Sequence, residues 1–187
     1  MKANDLKPGM AVQMDGKLLV CVKTEHVKPG KGPAYVQARL RDVANGGYVQ
    51  KRLGSSDTIE GTTLDRRQTE YLYEDGDGFV FMDTESFDQF TLNSDVAGDA
   101  MLYLRPNAQT DMLFHDENPI LVELPSSVEL TITECEPGVK GATVTNVLKE
   151  AVCETGLKTR VPGFIEAGET IKVNTEDGSY MSRAKES

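Results

Sequence analysis

Across residues 34–41 the side chains alternate: Val36, Ala38 and Leu40 fall on one side, Tyr35, Gln37, Arg39 and Arg41 on the other. A period of two marks a strand with one buried face, and the chain repeats short runs of this kind between Gly, Asp and Asn turns. Almost no stretch keeps a helical period for ten residues. The expected class is all-β, with many short strands. Residues 17–23 form an apolar run between turn signals, and residues 48–53, after Asn45-Gly46-Gly47, make a third strand of the same small barrel. A second set starts at Tyr71-Leu72-Tyr73, turns at Asp75-Gly76-Asp77-Gly78 and continues over residues 79–82. A third opens with the alternation of residues 128–133 and closes with residues 171–174. One short helix is expected near residues 94–104, with Asn93 or Ser94 as its cap and Gly98 as its weak point.

Joints near residues 61–65 and 125–127 divide the chain into pieces 1–64, 65–127 and 128–187, each the size of a small β-barrel. Charge follows the same division. The whole carries 20 Lys+Arg against 30 Asp+Glu, a net −10, which argues against a nonspecific polyanion binder. By piece the balance is ten bases to six acids, then three to fourteen, then seven to ten. The first piece is basic and the middle one strongly acidic, a pattern suited to offering one face to phosphate and withholding another; acidity for solubility alone is the simpler reading of the middle piece. The longest apolar run, residues 18–22, is too short for a membrane span, and the first residues lack a signal-peptide core, so a cytoplasmic protein is expected. Cys21, Cys135 and Cys153 are odd in number and far apart, and His26 and His115 are the only histidines. No disulfide framework, metal site or cofactor site is expected.

The loop Lys28-Pro29-Gly30-Lys31-Gly32-Pro33-Ala34 lies between two predicted strands of the basic piece. Pro29-Gly30 suits the centre of a type II turn, where proline presets φ and glycine accepts a positive φ. The expected product is a hairpin tip with Lys31 at its apex and no bulky neighbour. A phosphate-binding P-loop would need a helix after the lysine, and here Gly32-Pro33 and a strand follow. A solvated turn and a presented functional lysine both remain open on residue types alone.

Several motifs then share one resemblance. The tip Val27-Lys28-Pro29-Gly30-Lys31-Gly32, the start Leu6-Lys7-Pro8-Gly9-Met10 with its Asp15-Gly16 turn, and Tyr71-Leu72-Tyr73 with Asp75-Gly76 and Phe81-Met82-Asp83 are similar to bacterial elongation factor P. So are Val128-Glu129-Leu130, Thr155-Gly156, Val161-Pro162, Gly168-Glu169, Ile171-Lys172-Val173-Asn174-Thr175, Tyr180 and Arg183, in the family's order and spacing. The resemblance covers the whole chain. It implies an SH3/KOW-like first domain and two OB-fold-like domains in an L-shaped, tRNA-like arrangement. It further implies a monomer that binds the 70S ribosome beside the peptidyl-tRNA and relieves stalls at consecutive prolines. Lys31 would reach the peptidyl-transferase centre, shaped by Pro29, Gly30, Gly32 and Pro33.

RNA contacts are expected from Lys28, Tyr35, Arg39, Arg41, Lys140, Gly141, Tyr180 and Arg183. Arg39 and Arg41 have a simpler alternative role in solvating an exposed strand. The resemblance implies no catalytic residue: the factor would assist an RNA catalyst. In many relatives a modifying enzyme extends the tip lysine, but Pro33 makes the loop stiffer here and favours an unmodified Lys31. Ala142-Thr143-Val144 stands where Asp-Thr-Ala is common, and Lys149-Glu150-Ala151 where Lys-Pro-Ala is usual. Leu64-Asp65-Arg66-Arg67 is shared with the factor-P-like paralogue, whose tip generally lacks this lysine. Against these stand a small β-barrel hydrolase using paired carboxylates, which no Ser/His/Asp or Cys/His set supports, and a generic OB-fold RNA binder, which the 6% aromatic content and absence of Trp disfavour.

Overall fold

A computed structural model of the chain describes residues 1–137 and 147–185. The strands are β1 (Ala11–Met14), β2 (Lys17–Val27), β3 (Tyr35–Asp42), β4 (Tyr48–Gly54), β5 (Glu60–Thr62), β6 (Asp65–Asp75), β7 (Gly78–Asp83) and β8 (Gln89–Asn93). After helix α1 (Ser94–Ala97) and a 3₁₀ segment (Gly98–Tyr103) come β9 (Gln109–His115), β10 (Asn118–Glu123) and β11 (Ser127–Cys135). The chain continues with β12 (Leu148–Cys153), β13 (Lys158–Pro162), β14 (Thr170–Asn174) and β15 (Tyr180–Arg183). Among the described residues these make three five-stranded sheets, ordered β4-β3-β2-β1-β5, β10-β9-β6-β7-β8 and β13-β12-β11-β14-β15. The all-β expectation holds. The expected helix is cut to one turn: the Asn93 side chain accepts from the Val96 amide at its start, and Gly98 at φ +51° ends it.

By packing the chain falls into two compact units. The first comprises Met1–Arg67, Leu92–Gly98 and Asp111–Val122; the second comprises Gln68–Thr91, Asp99–Thr110 and Glu123–Ser187.

In the first unit, Val12, Leu19, Cys21, Ala38, Leu40 and Ile59 bury one face of the first sheet, closed below by Ala3 and Leu6. Each fully buried aliphatic side chain of this size contributes about 1.5–3 kcal/mol. The other face is covered only at its base, where Ala11 and Val20 pack with Leu113 and Ile120. One irregularity decides what the remainder of that face displays. β2 pairs Cys21 with Leu40 but then Lys23 with Arg39, so Val22 is an extra residue in the ladder. A bulge of one residue swaps the faces of every side chain beyond it. Before the bulge Leu19 and Cys21 face the core; after it Thr24 and His26 pair with Ala38 and Val36 on that side, and Lys23, Glu25 and Val27 face outward with Arg39, Gln37 and Tyr35.

In the second unit, Tyr71, Phe81 and Phe90 form an aromatic row, with ring centroids 5.3 Å apart for Tyr71 and Phe81 and 6.3 Å for Phe81 and Phe90. The third sheet closes over Leu130, Ile132, Ala151, Cys153, Val161, Ile165, Ile171 and Val173, against which Leu102 and Tyr103 of the 3₁₀ segment pack. Thr155 donates to the Leu102 carbonyl, fastening that segment to the barrel.

Candidate functional site

β2 and β3 extend beyond the core as a hairpin whose last rung pairs Val27 with Tyr35. Residues 28–33 are all exposed, and Ala34 is tied down through its carbonyl, which accepts from the Ser55 amide at 3.1 Å. Lys28 and Lys31 meet no carboxylate at ion-pair distance among the described residues. The loop corrects one expectation. Gly30 does not adopt a positive φ, so Pro29-Gly30 is not the centre of a type II turn; Gly32 carries the left-handed conformation, at φ +100°. A loop this wide reverses direction over several bends, at residues 30–32, rather than at one tight turn. A Cβ on Gly32 would lie 4.0 Å from Pro29 Cγ, so the two sides of the loop approach across the lysine, while Gly30 has open space on all sides.

Below the tip, the outward face of β3 and β4 is basic and aromatic. The Arg52 guanidinium lies 3.8 Å from the Tyr35 ring centroid, and that of Arg39 lies 4.3 Å from the Tyr48 ring centroid. Arg52, Tyr48 and Lys23 were not among the sequence candidates. The alternation of residues 48–53 places Tyr48, Gln50 and Arg52 on one face, a signal available by the rule applied to β3; Lys23 is placed by the bulge and had no such signal.

Arg41 does not belong to this surface. It is 8% exposed, and its Nη2 donates to the carbonyl oxygens of Asp95 at 3.0 Å and Val96 at 3.1 Å. Its strand parity is that of Arg39, but the guanidinium is buried against α1, where it donates to carbonyls of the helix's single turn. Gly46 and Gly98 each leave room for it, with virtual Cβ positions 3.6 Å from its Nη2.

In the third sheet, Tyr180 is half-buried against the core of that barrel. Arg183 Nε pairs with Glu169 at 3.0 Å, and its guanidinium lies 4.9 Å from the Phe164 ring centroid. Lys140 and Gly141, with Ala142-Thr143-Val144, lie outside the described residues. The cysteines are free: Cys21 and Cys153 are buried and Cys135 half-buried. Burial pushes the Cys21 thiol up to about 11, which keeps it protonated and unreactive at neutral pH.

Comparison with known proteins agrees in every part of the chain. Residues 2–59 match the profile "Elongation factor P (EF-P) KOW-like domain", residues 64–122 "Elongation factor P (EF-P) OB domain" and residues 128–183 "Elongation factor P, C-terminal". An elongation factor P from Acidothermus cellulolyticus is 46% identical over 181 residues, covering 97% of both chains. One from Salinispora tropica is 47% identical, over 97% of this chain and 98% of the relative, and elongation factor P 1 from Lactobacillus acidophilus is 44% identical over 98% and 97%. On matches of that identity and extent, this chain belongs to the elongation factor P family of translation elongation factors.

Proposed function

We propose that the protein binds the ribosome beside the peptidyl-tRNA and promotes peptide-bond formation where consecutive prolines stall it, with Lys31 directed at the peptidyl-transferase centre. The observation that carries this reading is the tip itself: an exposed, unneutralised lysine between two glycines, held beyond the barrel on a paired two-stranded arm. Proline is a constrained residue whose fixed φ places donor and acceptor badly. A cation on a narrow arm holding the end of the tRNA favours productive geometry by positioning, without making or breaking a bond itself. Lys28 and the outward face of β3 supply phosphate contacts along the tRNA, and Tyr180 and Arg183 a further contact from the third barrel. Lys31 acts unmodified, because Pro29 and Pro33 restrict the loop before it enters its site. Pieces 1–64, 65–127 and 128–187 serve as the three functional domains.

Synthesis of a reporter with a polyproline run, compared for wild type and Lys31→Ala, tests the reading. Loss of stall relief in the variant is expected, and full relief overturns the mechanism. Intact-protein mass equal to the bare chain is expected from the same preparation.

A further inference from the structure

Four arginines elsewhere in the chain meet acceptors: Arg67 binds Asp65 and Glu117, Arg105 lies 3.5 Å from Glu154, Arg183 pairs with Glu169, and Arg41 holds two carbonyls. Arg39 and Arg52 are different. Among the described residues their partners are the Tyr48 and Tyr35 rings, and neither meets a carboxylate at ion-pair distance. In a protein with 30 acidic side chains and 20 basic ones, two exposed guanidinium groups left without acids on one face are a built feature. The two pairs also obey one geometric rule. β3 pairs Gln37 with Arg52 and Arg39 with Gln50, so in each pair the β4 residue lies two positions before the register partner of the β3 residue. Ring and cation exchange strands between the pairs, and Gln37 with Gln50 occupies the same diagonal between them. Diagonal neighbours of this kind are within reach of aromatic and long side chains.

A ring that carries a guanidinium over its face is not open on that side to a nucleobase. It holds the cation in place instead, and an exposed guanidinium seated on a ring keeps N–H groups free for the oxygens of a phosphate. We infer that Tyr35 and Tyr48 are positioning residues, that Arg52 and Arg39 are the contact residues they hold, and that this diagonal row grips the phosphate backbone of an RNA strand. The inference rests on the ribosome-bound reading above. It adds Arg52 as a contact and changes the role of Tyr35 from a direct RNA contact to a support. Glu25, on the same face opposite Gln37, sets the acidic limit of the row.

The test measures binding of labelled full-length factor to purified 70S ribosomes carrying peptidyl-tRNA, across a range of KCl concentrations. Arg52→Ala weakens binding about fivefold and makes the plot of log affinity against log salt shallower by roughly 0.7–0.9, the loss of one phosphate contact. Tyr35→Phe, which keeps the ring, matches wild type. Tyr35→Leu weakens binding as Arg52→Ala does, and adds nothing in the Arg52→Ala background. If Tyr35→Leu costs the same in that background as alone, the ring touches RNA directly and the supporting role is overturned. If Arg52→Ala binds as wild type with an unchanged slope, the inference falls while the functional reading stands; if wild type itself does not bind, the functional reading falls, and this inference with it. Arg52 is exposed, and unchanged thermal melting of its variant confirms that the fold is retained.

Discussion

Arg41 Nη2 donates to the carbonyl oxygen of Asp95 at 3.0 Å across 54 residues of sequence. With the second bond to Val96, this makes a buried cation the fastening of residues 92–98 to the end of β3. Hydrogen bonds from a charged donor contribute about 1.5–3 kcal/mol, and unpaired carbonyls add their own desolvation cost when the donor is removed.

Arg41→Met, which keeps the aliphatic stem, is expected to lower unfolding stability by about 2 kcal/mol, read as a reduced urea midpoint. Ribosome affinity at a temperature where the variant is folded should stay near that of wild type. Unchanged stability with weakened ribosome binding would return Arg41 to the outer surface.

The two tip glycines separate conformation from clearance. Gly32→Ala forces a side chain into a positive-φ conformation and is expected to cost about 1 kcal/mol in the local order of the loop, with loss of stall relief. Gly30→Ala meets neither a positive φ nor an atom within 4 Å, so stability should be unchanged. A loss of stall relief in Gly30→Ala at full stability would report a tight fit of the tip in its site; equal effects of the two variants on loop order, read by amide hydrogen exchange of residues 28–34, would contradict the assignment of the left-handed position to Gly32.

Two groups mark opposite ends of the stable pH range. The Asp42 carboxylate accepts from Lys17 Nζ at 3.0 Å and from the Ala44 amide at 2.9 Å, and the lysine bond first, then the backbone donors, outweigh its burial and hold its pKa below the usual carboxylate value. A depressed folded pKa gives stability that is present above the unfolded carboxylate value and lost as pH falls through the folded one. Cys21 has the opposite sign: its raised folded pKa gives stability present below the unfolded thiol value and lost as pH rises from about 9 toward about 11. Denaturant unfolding of Asp42→Asn against wild type should show the gap between them narrowing below about pH 4; for Cys21→Ala the gap should narrow above pH 9. Gaps constant with pH would contradict both assignments.

The parts of the fold ruled by local periodicity were legible in the sequence. Val36, Ala38 and Leu40 are all fully buried as the alternation requires, and the Asn45-Gly46-Gly47 and Asp75-Gly76-Asp77-Gly78 turns fall between strands. Arg41 was misplaced because alternation assigns a side of the sheet and cannot say what covers that side, and the covering segment comes from far along the chain. The turn rule failed at Pro29-Gly30 because it describes tight four-residue turns, and this loop is wider. Lys31 was legible as a candidate from its glycine neighbours and became specific only through motifs elsewhere in the chain. The Tyr–Arg pairs need the register of β3 against β4, which no single strand encodes.

The extra residue Val22 gives the arm and the barrel separate phases. The core side of the sheet takes odd-numbered residues at the root of β2 and even-numbered ones, Thr24 and His26, beyond it. Were Val22 taken into the ladder opposite Arg39, the two rows of the arm would exchange as blocks, turning Lys23 and Glu25 toward the apolar side while the root stayed in place. Substitutions in the outer row leave the core side of the sheet untouched, so the surface shown to a partner can be altered without disturbing the foundation that holds it upright.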